Sequence, residues 1–206
     1  MISAPTNSVS TQKPVNLAQS DGAIHYYTDF LDSANANRVF KQLSVQLEWK
    51  QETLNIMGKE VIAPRLVCWH GDPGAVYRYS GVEHIPLPWN PVLKVIKLRI
   101  EQFSGDQFNC VLGNLYRDGN DSMGWHADKE KQLGINPVIA SLSLGAKRLF
   151  KLRHNKSQQT VDIQLEHGSL LIMAGSLQHH WRHCLPKTRL CTTPRINLTF
   201  RFIDCD

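Results

Sequence analysis

The chain has 206 residues, which is long enough for one domain with a substantial core and too short for two ordinary domains with a linker. Lysine and arginine number 23 against 18 aspartate and glutamate residues, so the formal net charge is +5. This balance suits a polyanionic partner, but it is also common in proteins that never bind nucleic acid. The five cysteines are scattered without a CxxC pair, which argues against a disulfide framework and a zinc ribbon.

The sequence gives no sign of a membrane anchor or a secretion signal. No apolar run has the length of a membrane span, and the N-terminus lacks the basic start and apolar stretch of a signal peptide. We therefore expect a soluble intracellular monomer, cytoplasmic or nuclear (or in a nucleoid), with no membrane partner.

Residues 1–21 are predicted to be a disordered tail. Serine, threonine, asparagine, glutamine and proline dominate this segment, and such a composition buries too little apolar surface to offset the entropy lost on ordering. Residues 22–206 are predicted to form a single domain.

Two helices are predicted in the first half of this domain. The first starts at Asp32 or Ser33, either of which can cap it. The second has Asn90 as its cap and Pro91 at its first position, where a missing N–H costs nothing. The apolar residues at helical spacing are Val39, Phe40, Leu43 and Leu47 in the first helix and Val92, Val95, Ile96, Ile100 and Phe103 in the second.

After Gly105 the sequence breaks into short runs of apolar and β-branched residues, separated by glycine, proline, asparagine and aspartate. Helices followed by many short strands indicate an α+β protein whose core, at about 105–203, is a sandwich or jelly roll. The predicted strands lie near 109–116, 138–144, 148–153, 160–165, 169–174 and 196–203.

His126 and Asp128 are the first candidates for metal ligands. They lie two residues apart, so on an extended backbone both side chains point to the same side. A third ligand must come from elsewhere, and His179, His180 and His183 are the candidates. Two imidazoles and one carboxylate form the facial triad of non-haem iron oxygenases, which leaves coordination positions open. The alternative is a solvated loop, because HxD is a common tripeptide.

The segment from Arg195 to Phe202 alternates polar and apolar residues, which predicts a strand with one apolar face. An antiparallel strand with one solvated face explains this pattern by itself. Two arginines and an amide in register also suit a dicarboxylate, because guanidinium groups pair with carboxylates bidentately. A second strand, at 111–116, likewise puts Asn114 and Tyr116 on one side. In the final strand the apolar residues are Ile196, Leu198, Phe200 and Phe202, and the polar ones are Arg195, Asn197, Thr199 and Arg201.

Four motifs follow one another in a distinctive order. They are Asn114-Leu115-Tyr116, His126-Ala127-Asp128, His183 followed by Leu185-Pro186, and the closing string Arg195-Ile196-Asn197-Leu198-Thr199-Phe200-Arg201. This set resembles the AlkB family of DNA and RNA dealkylases, and its animal-type double-strand DNA repair branch more than its bacterial founder. The similarity runs from about Leu54 to Ile203. It implies a double-stranded β-helix (jelly-roll) core with supporting N-terminal helices.

The resemblance also implies the cofactors and the reaction. The iron ligands would be His126, Asp128 and His183, with His180 packed beside Trp181. The cofactors would be Fe(II), 2-oxoglutarate and O2, which oxidise an N-methyl carbon and release formaldehyde during repair of alkylated DNA, with RNA as a further partner. The matched cosubstrate-binding residues are Asn114, Tyr116, Arg195, Asn197 and Arg201, with Arg195 at the distal carboxylate of 2-oxoglutarate.

Further matched positions would bind a base that has left the duplex. Tyr77 and Tyr79 match aromatic residues that stack on it, although two core tyrosines explain the pattern equally well. Glu130 matches a contact to the exocyclic amine of adenine or cytosine, and its alternative is a solvated carboxylate. Met57 matches the apolar wedge of a hairpin, and Arg65 matches a position that faces phosphate.

The resemblance places nucleotide recognition in a hairpin region at about 50–85. The densest basic stretch, Lys147 to Lys156, is assigned to contacts with the nucleic-acid backbone. A 2-oxoglutarate oxygenase that acts on a protein or a small molecule would have the same iron and cosubstrate residues, and the substrate residues above argue against it. The complete ligand set argues against a catalytically silent jelly-roll module that binds nucleic acid.

Overall fold

The computed structural model describes residues 15–18, 20–56, 58–79 and 82–204, without the side chains at 54–56, 77–79 and 82–84. The helices are α1 (Ser33–Gln46), α2 (Pro91–Ser104), α3 (Leu177–His180) and a 3-10 turn at Lys131–Leu133. The strands are β1 (Ala23–Tyr27), β2 (Lys50–Ile56), β3 (Lys59–Gly71), β4 (Tyr77–Tyr79), β5 (Val82–His84), β6 (Cys110–Tyr116), β7 (Met123–His126), β8 (Ile139–Gly145), β9 (Arg148–His154), β10 (Thr160–Leu165), β11 (Leu170–Ala174), β12 (Trp181–Leu185) and β13 (Arg195–Arg201).

Two antiparallel sheets form the core. The larger sheet has the strand order β1-β11-β8-β13-β6-β3-β2, and the smaller one has the order β10-β9-β12-β7. Side chains from both sheets line one cavity, so the sheets face each other. This architecture, with helices outside the sheets, confirms the predicted α+β class and its jelly-roll core. The hairpin β4-β5 stands apart as a two-stranded sheet.

Both predicted helices are confirmed, including their caps. The Asp32 carboxylate accepts a hydrogen bond from the Asn35 N–H at the start of α1, and Asn90 accepts one from the Val92 N–H at the start of α2. Val95 does not face the core as predicted but is 43% exposed, because Leu93 takes the buried position in that turn of α2. No helix in the described ranges is long and apolar enough to cross a membrane.

The predicted disordered tail is wrong for residues 16, 18 and 20, which contact the folded domain, whereas its residues 1–14 and 19 lie outside the described part of the chain. Asn16 Oδ1 accepts hydrogen bonds from the N–H groups of Ala18 and Ile24, at 3.0 and 2.8 Å. Ala18 is buried in a core cluster, and the carbonyl of Ser20 accepts a hydrogen bond from the Trp181 indole. A polar composition thus conceals a segment that is held mainly by specific hydrogen bonds.

Strand β13 is central in the larger sheet and pairs with both β6 and β8. All seven of its residues are buried, so the alternative of a solvated polar face is wrong. Its polar row faces the cavity instead. Phe202, predicted to continue the apolar face, follows the end of the strand and is 51% exposed.

Substituting Gly113 should destabilise the fold at the place where β6 meets β3. A Cβ at this position would lie 2.5 Å from Cys68 Sγ and 3.1 Å from the Trp49 ring. We expect Gly113→Ala to lower the free energy of unfolding by about 1–3 kcal/mol, the usual cost of overpacking, measured by urea denaturation. Adding Cys68→Ala should recover part of this loss, whereas equal midpoints for wild type and Gly113→Ala would contradict the close packing.

Candidate active site

A single cavity between the two sheets brings the predicted iron and cosubstrate residues together. Its lining comes from β6, β8, β11 and β13 of the larger sheet and from β7, β9, β10 and β12 of the smaller one, and both sheets contribute apolar as well as polar residues. All eight predicted residues line it: Asn114, Tyr116, His126, Asp128, His183, Arg195, Asn197 and Arg201.

Strand pairing places the three candidate metal ligands. His126 on β7 lies directly opposite His183 on β12, and their ring centroids are 4.2 Å apart. Asp128 follows β7, and one ligand atom from each of the three residues lies within 4.8 Å of the other two. The structure therefore brings His183 to the pair, whereas His180 groups with residues elsewhere.

The protonation of this group fits a divalent iron ion. The Nδ1–H of His126 donates to the Gly124 carbonyl at 2.9 Å, which leaves the Nε2 lone pair for a metal. Burial lowers the pKa of His183 to about 3, so its imidazole is neutral at physiological pH. Burial opposes ionisation of Asp128, but the charge and hydrogen bond of Arg201 together with the two neighbouring histidines outweigh it and hold the pKa of this carboxyl well below its usual range. Neutral imidazoles and an ionised carboxylate are the donor set that Fe(II) takes in a facial triad.

Two further side chains fix the orientation of Asp128. Arg201 donates from Nη2 and Nε to its Oδ2, at 2.9 and 3.3 Å, so Oδ1 points toward His126. The backbone N–H of Asp128 donates to Gln178 Oε1 at 2.9 Å. Sequence reasoning missed Gln178, which is 1% exposed in α3. A lone glutamine before two histidines carries no spacing signal that could have revealed it.

Arg195 makes the cavity suitable for a dicarboxylate. It is 1% exposed, its Nη2 donates to Ser143 Oγ at 2.9 Å, and its Nε has no hydrogen-bond partner among the described residues. Its guanidinium lies 5.4 Å from the Tyr116 ring. Burial lowers the pKa of Arg195 to about 10, so it stays charged at neutral pH. Because an unpaired buried cation is costly, a carboxylate bound there would offset the cost.

Two serines on β8 complete this end of the cavity. Ser143 supports Arg195, and Ser141 Oγ accepts a hydrogen bond from Asn197 Nδ2 at 2.8 Å. Neither serine was predicted. They alternate with Leu142 and Leu144 at strand period, the same signal that identified the polar row of β13, so the sequence does contain a clue to them.

Arg65 does not face phosphate as predicted. It is 2% exposed, and its Nε donates to Asn114 Oδ1 at 2.8 Å. Because arginine can only donate, the oxygen of Asn114 must face it, and the amide NH2 remains for the cavity. Arg65 therefore orients a cavity residue from behind.

Most of the basic residues in the stretch 147–156 already have partners within the protein. Arg148 is buried and donates to the carbonyls of Asp118, Asp121 and Pro186, at 3.0, 2.8 and 2.8 Å. Lys147 pairs with a glutamate and Lys151 with an aspartate. The assignment of this whole stretch to nucleic-acid contacts is therefore wrong for Arg148.

A second group of histidines and a carboxylate has the spacing of a metal site and consists of Asp21, His154 and His180. Its members are instead explained by hydrogen bonds within the protein. The Ser157 N–H donates to Nδ1 of His154 at 3.0 Å, so the proton of this imidazole is on Nε2. That Nε2–H donates to Asp21 Oδ2 at 3.1 Å. Metal binding at Nε2 would require this proton to move to Nδ1, which would break the hydrogen bonds with both Ser157 N–H and Asp21.

Among the predicted substrate residues, the structure describes the side chains of Glu130 and Arg65 but not those of Tyr77, Tyr79 and Met57. Glu130 precedes the 3-10 turn, and its Oε2 is buried without a hydrogen-bond partner among the described residues. Tyr77 and Tyr79 lie on β4, but their side chains are outside the described part of the chain. Met57 lies outside the described residues, between the paired strands β2 and β3.

Comparison with known proteins agrees with this geometry. The family model described as the 2OG-Fe(II) oxygenase superfamily matches residues 23–201. The chain is 41% identical over 187 residues to human "Alpha-ketoglutarate-dependent dioxygenase alkB homolog 3", which covers 86% of this chain and 65% of that protein. It is 38% identical over 196 residues to mouse "DNA oxidative demethylase ALKBH2", which covers 90% of this chain and 82% of that protein.

The chain spans slightly less than two thirds of the length of some of these relatives. The bovine alkB homolog 3 is 42% identical over 184 residues, and the chain spans 64% of its length. The family match nevertheless runs through every strand of the two main sheets, from β1 to β13, and through the whole cavity. The chain therefore belongs to the 2OG-Fe(II) oxygenase superfamily and, within it, to the family of the AlkB homologues.

Proposed function

We propose that this chain is an Fe(II)/2-oxoglutarate-dependent dioxygenase that demethylates bases such as 1-methyladenine and 3-methylcytosine in DNA. The observation that carries the proposal is one cavity with a two-histidine, one-carboxylate group and a buried arginine that has no carboxylate partner among the described residues. The relatives are named as dioxygenases and DNA oxidative demethylases, which supports the reaction and the substrate class.

His126, Asp128 and His183 would hold iron from one side and leave the opposite positions open. Iron bound there, with 2-oxoglutarate and oxygen, supplies oxidation of an N-methyl carbon, after which formaldehyde is lost. The chain's own contribution is to fix the ligands. Gly124 and Gln178 do this through hydrogen bonds to His126 and to the backbone of Asp128.

Arg195 would bind the distal carboxylate of 2-oxoglutarate, with Ser143 holding the guanidinium in place. Asn114 and Asn197 present amide groups to the same cavity. Arg201 holds the metal-binding carboxylate and would lie near the iron-bound end of 2-oxoglutarate. Apolar residues from both sheets also line the cavity and would exclude water from the reacting groups: Leu112, Phe150, Leu165, Met173 and Leu185.

A methylated base must leave its stack to reach this cavity. Glu130 would then accept a hydrogen bond from the exocyclic amine, and its unpartnered Oε2 supports this role. Tyr77 and Tyr79 would stack on the base, and Met57 would fill the gap left in the duplex. These roles rest on the sequence match.

A formaldehyde assay tests the substrate class. Recombinant protein supplied with iron(II), ascorbate and 2-oxoglutarate should release formaldehyde from methylated oligonucleotides, which we would compare as single-stranded DNA, duplex DNA and RNA. If iron-loaded protein converts 2-oxoglutarate but leaves all three substrates unchanged by mass spectrometry, base repair is rejected and a protein or small-molecule substrate is favoured.

Replacing the carboxylate should empty the metal site. We expect Asp128→Asn to lose bound iron and turnover, because an amide lacks the charge that completes the triad. Metal analysis of the purified variant measures the first effect. His180→Ala is the matched control and should retain iron, since His180 lies outside the cavity. Retention of iron by Asp128→Asn would refute the ligand assignment.

Substitution of Arg195 should weaken cosubstrate binding without lowering the stability of the protein. Arg195→Gln removes a charged hydrogen bond worth about 1.5–3 kcal/mol, so the Kd for 2-oxoglutarate should rise roughly ten- to hundredfold. The protein without cosubstrate should be no less stable, because an uncompensated buried cation is removed. Calorimetric titration and thermal unfolding measure both effects. A lower Tm with unchanged affinity would make Arg195 a structural residue only.

A further inference from the structure

The outer face of the smaller sheet has two arginines directly opposite each other. Arg153 on β9 and Arg182 on β12 are cross-strand partners, and both side chains point away from the cavity because the neighbouring pair, Leu152 and His183, points into the core. Like charges at this spacing destabilise a sheet. Within the described ranges neither arginine forms an ion pair, so the sheet bears this repulsion.

An exposed aromatic ring lies beside this pair. Trp125 on β7 is 41% exposed, and the Arg153 guanidinium lies 4.9 Å from the ring centroid. The ring is turned outward by a bulge. Between the pairs His183–His126 and Leu185–Met123, β7 has one residue more than β12. The same bulge turns His126 into the cavity, and bulges commonly redirect side chains next to active sites.

The two lysines that precede Arg153 at strand β9 differ from it, because each of them is paired with an acidic residue. Lys147, just before the strand, pairs with Glu166 at 2.7 Å. Lys151, one position along the outer face from Arg153, pairs with Asp162 at 2.8 Å. Within the described residues, these two lysines are thus paired with carboxylates, whereas Arg153 has no acidic partner.

We propose that Trp125, Arg153 and Arg182, here called the arginine–tryptophan patch, bind the nucleic-acid strand that flanks the base in the cavity. This inference rests on the proposed function. Guanidinium groups pair with phosphates, and an exposed indole stacks on a base of any sequence. A nucleic-acid strand offers both groups next to each other, whereas an acidic protein segment offers only the charge.

The position of the patch fits this role. Trp125 is one residue before the ligand His126 in the chain, and Arg182 is one residue before the ligand His183. Each of the two histidine ligands therefore faces the cavity from a strand position whose preceding residue belongs to the patch. A strand that delivers a base to the cavity would pass the edge strand β7 on its way to the outer face.

Binding of an unmodified single-stranded oligonucleotide tests the patch without relying on turnover. A length of about fifteen nucleotides is suitable, because single-strand-binding grooves of the OB type bind roughly 4–16 nucleotides. Fluorescence anisotropy would be measured at several salt concentrations. The Arg153→Gln, Arg182→Gln double variant should bind at least tenfold more weakly at low salt. Its slope of log affinity against log salt should fall by about 1.4, because two phosphate contacts on a single strand are lost.

Trp125→Ala should bind roughly fivefold or more weakly, because stacking contributes about 1–3 kcal/mol per base. Its salt slope should stay near that of wild type, since stacking releases no counterions. Arg38→Gln is the matched control, because Arg38 is exposed on α1, which packs against β8 of the other sheet. This control changes the net charge by one without touching the patch.

The outcomes separate this inference from the proposed function. If the double variant binds as tightly as Arg38→Gln, the patch is not a nucleic-acid site. If only the arginine variants weaken binding and Trp125→Ala has no effect, the surface reads charge alone, and the inference of a stacked strand is overturned. If all variants behave as expected but wild type releases no formaldehyde from any methylated oligonucleotide, the patch stands and the proposed reaction fails.

Discussion

The bulged pairing of β7 with β12 is the constraint on which the site depends. It puts His126 opposite His183 and frees the Gly124 carbonyl to orient the first imidazole. A slip of one residue in this register would exchange the two faces of β7 and present Trp125 to the cavity. The proposed ligands His126 and His183 are therefore brought together by backbone hydrogen bonding, and Asp128 is held by Arg201 and Gln178.

Buried charge is the second organising feature, and each cationic group is treated differently. Arg201 is matched by Asp128, and Arg148 donates to three backbone carbonyls, although its Nε has no hydrogen-bond partner among the described residues. Arg195 has only a serine hydroxyl and an aromatic ring. Because an uncompensated cation in a core is costly, Arg195 is where we propose that a carboxylate of 2-oxoglutarate binds.

The sequence predicted much of the fold because its local signals were strong. Asn90 with Pro91, and Asp32 with its helical apolar pattern, located both long helices, and alternation located β13 and its polar row. It missed β1, β7 and β12, which are short and carry glycine, histidine or tryptophan rather than β-branched runs. Strands β2 and β3 were expected only as a hairpin region implied by the resemblance, and not as part of the larger sheet. The sequence did not predict that the polar face of β13 and the side chain of Arg65 are buried. Burial depends on what packs against a strand, and a solvated strand has the same alternation of polar and apolar residues as a buried one.

The hydrogen bonds made by Ser20 and Asp21 bear on where this domain can be cut. The composition of the first 21 residues suggests an expression boundary at residue 22, yet the Ser20 carbonyl accepts from the Trp181 indole, and Asp21 accepts from His154. Trp181 begins β12, the strand that carries His183, and His154 ends the neighbouring strand β9. A truncation at residue 22 would leave the indole N–H of Trp181 without its acceptor, two residues from the proposed ligand His183, so the choice of cloning boundary bears directly on the region of the proposed metal site.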